Sequence, residues 1–267
     1  MIGTHRRLRA TVGWALALLF AFPLVMLVSG AFRRPGTPPP RSLELIPPDP
    51  GVESFARAFA LSPLATGLAR SLILALIFTA VAVAVSALAG FALATMRRRR
   101  AAVAIVLALF VAPTGLTFLA RFLMWDALGL ARSDLPLLAP ALLGGTPFAV
   151  LLYALAFSRL PRELLDAARL ELGEWRVLRA VALPLTKGTT VAVAMLAFVQ
   201  SWSAFLDPLL HLTRREELTA PLALRFLQAL PSLQQPVLLA GALLVALPPA
   251  VAFLLAQRAL FSQGDPA

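Results

Sequence analysis

The sequence predicts an all-α membrane protein with six transmembrane helices and with both chain ends in the cytoplasm. Hydrophobic residues make up 60% of the 267 positions and charged residues 14%, whereas soluble domains are about 45–50% apolar and about 25% charged. Six stretches are long and apolar enough to cross a bilayer, which takes about 20 residues. The expected crossings are residues 10–32, 68–96, 101–123, 135–157, 188–210 and 237–261.

Basic residues mark the expected orientation of these crossings. With the N terminus inside, fourteen lysines and arginines lie on the inner side and ten on the outer side, and inner loops are the ones enriched in basic residues. Arg97–Arg100 form a short link between the second and third crossings, which suits an inner turn. Residues 1–32 are therefore expected to form a cytoplasmic tip and an uncleaved first helix, because the apolar run exceeds a signal-peptide core.

Residues 33–67 are expected to form an extracytoplasmic segment. It begins RRPGTPPPRSLELIPPDPG, in which the prolines remove backbone donors and disfavour regular structure. Phe55, Ala58 and Phe59 follow with the spacing of one helical face. This pattern fits a short helix lying on the outer membrane surface, and it fits equally an ordered connector with no further role.

The loop at 159–187, between the fourth and fifth crossings, differs from the rest of the chain because it is rich in charged residues. Pro161 suits a first helical position, and Glu163 suits the first turn, where the helix dipole favours acids. The apolar residues spaced as one helical face are Leu164, Leu165, Ala168 and Leu172. Gly173 is expected to end the first helix in a left-handed conformation, and Pro184 to break a second helix. The loop thus reads as a helix–turn–helix projection.

Two uses of this projection remain open from its chemistry alone. A loop that only joins two crossings needs few residues, so a long ordered loop indicates that it docks a partner. The small side chains of Ala167 and Ala168 would let a partner surface approach closely. An amphipathic helix held on the inner leaflet by its arginines explains the same pattern.

Several function classes lack the residues that they require. The chain has no cysteine and only two histidines, His5 and His211, far apart in sequence, which excludes thiol chemistry, disulfides and cysteine metal sites. The net charge of +11 comes from arginines beside apolar runs, which is typical of membrane topology and not of nucleic-acid binding. The single lysine, Lys187, does not lie in a Gly-x-x-x-x-Gly-Lys-Ser/Thr phosphate loop. We therefore expect no catalytic residue, no cofactor, no metal and no nucleic-acid partner.

The stretch ELLDAARLELGEWRVLRAVALP resembles the EAA loop in the permease subunits of bacterial ATP-binding-cassette (ABC) importers. That pattern is Glu-Ala-Ala, three residues, Gly, nine residues, Ile, any residue and Leu-Pro. Asp166-Ala167-Ala168 correspond to its opening and Leu183-Pro184 to its close. Three stretches resemble the maltose-type, carbohydrate-importing branch of this family, namely TPFAVLLYALAFSRLPRELLDAARL, WSAFLDPLL and FLLAQRALFSQG. The resemblance covers most of residues 50–264, including a permease core at 68–264.

The chain departs from this pattern at several positions. Leu172 stands where the signature glycine is expected, Gly173 follows it, and the loop is one residue short. One missing residue turns a helix by about 100°, so either the second arm of the loop is expected to be rotated or the turn is expected to be tightened. Ser203-Ala204 stand where the branch has Asn-Glu, and Arg70 where it has asparagine.

The resemblance implies a non-catalytic subunit that forms half of a translocation pore in the bacterial inner membrane, for sugars or sugar derivatives. Its implied partners are two ABC ATPase subunits, a second permease subunit (a different chain or a second copy of this one), an extracytoplasmic solute-binding protein and the lipid bilayer. The 160–186 loop would couple the pore to the ATPases. The residues expected to serve this coupling are Glu163, Asp166, Ala167, Ala168, Gly173, Leu183 and Pro184.

Four residues near the expected outer interface are candidates for contact with the solute or its pathway. Arg121 and Asp207 lie at similar expected depths, and ionisable residues in spans are frequently functional. They could pair, line the outer mouth, or extend to the headgroups. Trp202 and Phe205 could stack on a sugar ring or anchor their helix at the interface.

Three rival functions explain less of the sequence. An ion-coupled secondary transporter usually has internal repeats and ionisable groups near the midplane, and neither is evident. An intramembrane serine hydrolase would need a nucleophile elbow such as Gly-x-Ser-x-Gly, which is absent. A docking scaffold would account for the charged loop and leave the six crossings unexplained.

Overall fold

The structure, a computed structural model, is nearly all-helical and describes residues 2–40, 42, 44–96, 99–111, 118–144 and 146–261. The α-helices, α1 to α14 in chain order, are Ile2–Ala31, Glu53–Leu61, Leu64–Thr95, Arg99–Val111, Phe118–Ala127, Leu135–Leu142, Pro147–Ser158, Arg162–Glu171, Glu174–Val177, Leu183–Leu185, Lys187–Trp202, Leu206–His211, Ala220–Gln228 and Gln235–Phe261. A π-helical segment, Leu178–Ala182, joins α9 to α10.

Five stretches of the described residues are long and apolar enough to cross a membrane. They match the first, second, fourth, fifth and sixth expected crossings. The third expected crossing, 101–123, is divided between α4 and α5, and residues 112–117 between them lie outside the described part, as do Arg97 and Arg98. The third crossing, and with it the total of six, therefore stays a prediction. The five stretches are Thr11–Ala31, Leu64–Thr95, Leu135–Ser158, Lys187–His211 and Ser232–Gln257.

Contacts divide the described chain into two compact units. The first contains the residues up to Gly67 together with Ala220–Leu247, and the second contains Leu68–Thr219 together with the residues from Pro248 onward. The candidate functional residues all lie in the second unit.

In the first unit, the segment 33–67 contains the expected short helix, α2. Its buried face consists of Ser54 and Ala58, and Phe55 packs its ring 5.1 Å from that of Phe32. Phe59 is exposed, and the expectation that this helix lies on the outer membrane surface stays a prediction. The Ser54 hydroxyl donates a 2.6 Å hydrogen bond to the carbonyl of Arg33, which ties the start of α2 to the residues after α1.

Hydrogen bonds and an ion pair order the rest of this proline-rich segment. Arg33 pairs with Glu44 at 2.7 Å, and the hydroxyl of Ser29 donates to the backbone carbonyl of Glu44 at 2.8 Å. The hydroxyl of Ser62 donates to the carbonyl of Ala223 in α13 at 2.6 Å. These contacts replace the backbone donors that the prolines lack.

In the second unit, α3 and α7 approach closely at a glycine. A Cβ atom at Gly90 would lie 2.9 Å from the backbone nitrogen of Ala154 and still closer to the Cβ atom of Tyr153. Gly144, with φ +79°, makes the turn after α6, and such a φ favours glycine because it has no Cβ. Thr146 then caps α7 by accepting a hydrogen bond from the backbone of Ala149.

The charged loop forms the predicted helix–turn–helix, with three differences in detail. Pro161 precedes α8 with ψ 129° and is not its first helical residue. Leu172 and Gly173 are both extended, and Gly173 has φ −69°, so it is not left-handed. The second arm passes through the π-helical segment Leu178–Ala182 and stays helical through Pro184. It is interrupted only at Thr186, with φ −113° and ψ 29°. The expected break at Pro184 was therefore wrong by two residues.

Candidate functional site

The charged hairpin, defined as residues 159–187, is anchored on the apolar helices by one face. Leu165, Val177 and Leu178 are buried in a cluster that also contains Phe91 of α3 and Phe157 of α7. The rings of these two phenylalanines meet edge to face at 5.6 Å. Because buried contacts of this density transmit displacement, a shift of the hairpin is expected to move α3 and α7.

An arginine joins the two arms of the hairpin. Arg169, in α8, contacts Asp166 one turn earlier at 3.0 Å and Glu174 at the start of α9 at 2.8 Å. The hydrogen bond to Glu174, followed by that to Asp166, raises the pKa of Arg169 above its ordinary value. The guanidinium therefore stays charged and bridges the extended turn between the arms.

The hairpin also exposes apolar side chains among its charges. Leu170 of α8 is 89% exposed. Trp175, which is 60% exposed, lines a groove together with Phe91 of α3 and Leu178, on the side that packs against α3. Exposed apolar side chains on a charged projection are typical of a contact surface for another protein or for a membrane.

The predicted coupling residues divide between the two faces. Ala168 and Leu183 pack against the buried cluster, so they support the hairpin from inside. Of the alanine pair, Ala167 is exposed and Ala168 is half-buried. The exposed members of the set are Glu163, Asp166, Ala167, Gly173 and Pro184.

The two ionisable candidates, Arg121 and Asp207, form an ion pair. Nη2 of Arg121 in α5 lies 2.5 Å from Oδ1 of Asp207 in α12. The guanidinium also lies over the ring of Phe118, 5.8 Å from its centre. Of the three arrangements that the sequence allowed, the structure contains the pair.

A cavity of about 400 Å³ lies beside this pair. Its walls come from α3, α6, the end of α11, α12 and the residue before α13. Phe205 and Asp207 line it, together with Ser71 and Thr219. Trp202 is only 4% exposed, and its ring stacks on Phe198 at 5.7 Å. Phe205 and Asp207 thus face the cavity, while Trp202 packs in the interior.

The sequence analysis did not find a further ion pair in this unit. Nη2 of Arg70, near the start of α3, lies 2.5 Å from Oδ1 of Asp134, the residue before α6. His211 is buried, and its Nδ1 atom lies 2.7 Å from the backbone oxygen of Ala131. Asp134 precedes Leu135-Pro136, a recognisable helix start, but nothing in the sequence identifies Arg70 as its partner.

Among the residues that the structure describes, no group of three or more histidine or acidic side chains is placed to hold a metal ion.

Comparisons with known proteins place these features in context. No family model matches the chain. It is 28% identical over 256 residues to the arabinooligosaccharides transport system permease protein AraQ of Halalkalibacterium halodurans, with 93% of this chain and 91% of that protein covered. It is 30% identical over 220 residues to ORF1 of Streptomyces antibioticus, provisionally assigned as an ABC transporter permease, with 81% and 96% covered.

One solved structure has a similar fold. It is a bacterial ABC transporter involved in the import of the acidic polysaccharide alginate, and its matched chain superposes with a TM-score of 0.77. The match covers 96% of each chain at 17% sequence identity.

Proposed function

The chain belongs to the permease proteins of ABC transporters, and we propose that it serves an ATP-driven, binding-protein-dependent importer of sugars or sugar derivatives. As a permease it is a non-catalytic membrane subunit, so ATP hydrolysis takes place in partner chains. The sugar class is supported by the arabinooligosaccharide permease, to which the chain is similar along nearly its whole length.

The partners that we propose are two ATPase subunits, a second permease subunit of a different chain and an extracytoplasmic solute-binding protein. This chain would then supply half of the pore, with its permease core at 68–264 and its third crossing completed by α4 and α5. We place the protein in the bacterial inner membrane, with both ends and the charged hairpin in the cytoplasm and the segment 33–67 outside. The basic residues of the hairpin support this orientation.

The observation that carries this proposal is the two-faced packing of the charged hairpin. Its inner face shares a buried cluster with α3 and α7, and its outer face exposes Ala167 and Leu170. An ATPase that gripped the outer face would thereby displace the membrane helices attached to the inner face. ATP-driven closure of the two ATPases would in this way switch the pore between inward-facing and outward-facing states.

Co-isolation of the ATPase with an altered permease tests the proposal. Ala167→Arg places a long cation on the exposed face, where it obstructs close approach of a partner and leaves the buried cluster untouched. We expect the ATPase to be lost from the purified complex, while the thermal unfolding of the permease in detergent stays within a few degrees of wild type.

The matched control is Ala56→Arg, the same exchange at an exposed position of α2, which should leave the ATPase bound. If Ala167→Arg retained a full complement of ATPase, the hairpin would not be its docking site. A hairpin lying on the inner leaflet would then be the better account.

A further inference from the structure

We propose that the cavity beside Asp207 receives a neutral, hydroxyl-rich ring and discriminates against anionic solutes. This inference rests on the proposed function, since it specifies the class of solute that the pore accepts. The cavity volume of about 400 Å³ falls within the range of about 300–1,000 Å³ that is usual for small-molecule sites. It therefore suits one or two sugar rings.

The first support is the hydrogen-bonding capacity of the walls. Asp207 lines the cavity, and its contact with Arg121 uses Oδ1. A carboxylate offers about four acceptor sites, so this contact leaves capacity for hydroxyl groups of a solute. Arg121 holds the carboxylate in place, which orients these acceptors before the solute arrives.

Hydroxyl groups in the walls add further partners for such a ring. Ser203 lines the cavity, and its hydroxyl donates to the carbonyl of Val199 at 2.7 Å, so its oxygen can still accept. Ser71 and Thr219 also line the cavity.

The second support is an aromatic surface next to these polar groups. Phe205 lines the cavity and is 37% exposed, and Phe78 forms part of the opposite wall from α3. A sugar ring has apolar C–H faces and hydroxyl edges. A phenylalanine ring beside a carboxylate and hydroxyl groups matches both kinds of surface.

The negative charge of Asp207 makes the cavity selective for neutral over anionic solutes. Among the described residues that line the cavity, Asp207 alone has an ionisable side chain, and Arg121 reaches the carboxylate from α5 without forming part of the lining. An anionic ring would bring a second negative charge next to Asp207. Arg121 offsets part of the charge of that carboxylate, so the remaining repulsion is modest, and no cationic side chain among the described lining residues compensates it. A neutral ring would meet acceptors for its hydroxyl groups and no repulsion.

Saturation-transfer NMR on the chain in lipid nanodiscs, with its co-isolating membrane subunits and without solute-binding protein, tests this inference. The probes are the methyl glycosides of glucose and galactose and the corresponding uronates, in which a carboxylate replaces the C6 hydroxymethyl group. We expect a signal from at least one neutral glycoside, and a signal at least about fivefold weaker from its uronate. Phe205→Ala should abolish the neutral signal.

Asp207→Asn should bring the paired signals to within about twofold of each other, because the repulsion is removed. The double variant Arg121→Gln with Asp207→Asn should do the same without leaving an unpaired arginine. Asp126→Asn, an exposed acid of α5 outside the cavity, should preserve the discrimination. Equal wild-type signals, no neutral signal, or discrimination that persists in both Asp207 variants would overturn the inference.

These outcomes are separate from failure of the proposed function. If no ATPase co-isolated with the chain, the importer proposal would fail, yet the binding measurement would still report on the cavity. If the ATPase co-isolated and the cavity showed no preference, only the present inference would fail.

Discussion

Arg169 connects the two arms of the charged hairpin, because its Nε atom donates a 2.8 Å hydrogen bond to Oε1 of Glu174 across the extended turn. The same guanidinium donates to Asp166 at 3.0 Å. The turn itself consists of two extended residues, of which Leu172 donates the last backbone hydrogen bond of α8, to Ala168, and Gly173 accepts the first of α9, from Val177. The arginine therefore contributes to the angle between the arms, and with it to the shape that a partner would meet.

Arg169→Ala is expected to weaken coupling without unfolding the protein. Exposed ion pairs contribute about 0–1 kcal/mol to stability, so the complex should still assemble. Losing about 0.5–1 kcal/mol of orientation free energy corresponds to a two- to fivefold change in rate. We expect solute-stimulated ATP hydrolysis by the reconstituted transporter to fall by about that factor.

The control for this change is Arg162→Ala, which removes an exposed arginine at the start of the same helix. Exchanging the charges, with Arg169→Glu and Glu174→Arg together, should recover part of the stimulated activity. Unchanged activity in Arg169→Ala would show that the bridge has no part in coupling.

Gly173→Pro is expected to be tolerated. Gly173 has φ −69° and ψ 158°, and Leu172 before it has φ −123° and ψ 142°, which are the conformations that proline and the residue before it favour. A Cβ atom at 173 meets nothing within 4 Å. We expect the thermal unfolding temperature of the permease to stay level or rise, because proline at a compatible site stabilises by about 0.4–1 kcal/mol. A hairpin that needed a left-handed glycine would instead lose stability and its ATPase.

Gly90→Ala is expected to destabilise the contact between α3 and α7. The added methyl group would collide with Tyr153 and with the backbone of Ala154, and overpacking of this kind costs about 1–3 kcal/mol. Thermal unfolding in detergent measures the effect. Gly13→Ala is the matched exchange at a position with nothing within 4 Å, and its unfolding temperature should stay at the wild-type value or slightly above. Equal unfolding temperatures for the two variants would refute the close packing.

The sequence predicted the features that depend on local pattern. Apolar length located the five candidate spans, and the amphipathic spacing around Leu165 identified α8 and most of its packed face. Leu164 was expected on that face and is 43% exposed. The turn of the hairpin was predicted incorrectly because glycine alone does not determine its φ. Leu172 packs against the buried cluster. The extended turn therefore occurs together with a contact to residues distant in sequence, which a local pattern does not contain.

The sequence did not predict which residues distant along the chain contact each other. Arg121 and Asp207 are 86 positions apart, and their expected depth left three arrangements of them open. Arg70 and Asp134 are 64 positions apart, and their contact depends on how α3 meets the start of α6. The burial of Trp202 against Phe198 likewise depends on the packing of α11, which no local spacing reveals.

Side-specific labelling of the hairpin tests the central claim most directly. The chain has no cysteine, so Leu170→Cys, at the most exposed point of α8, and Ile46→Cys, an 82% exposed position in the segment 33–67, each provide a single thiol. In intact cells a membrane-impermeant maleimide should label position 46 and spare position 170. After the cells are opened, position 170 should react, and it should react more slowly when the ATPase is bound. Labelling of position 170 from outside intact cells would contradict the proposal that an ATPase works the pore through this hairpin.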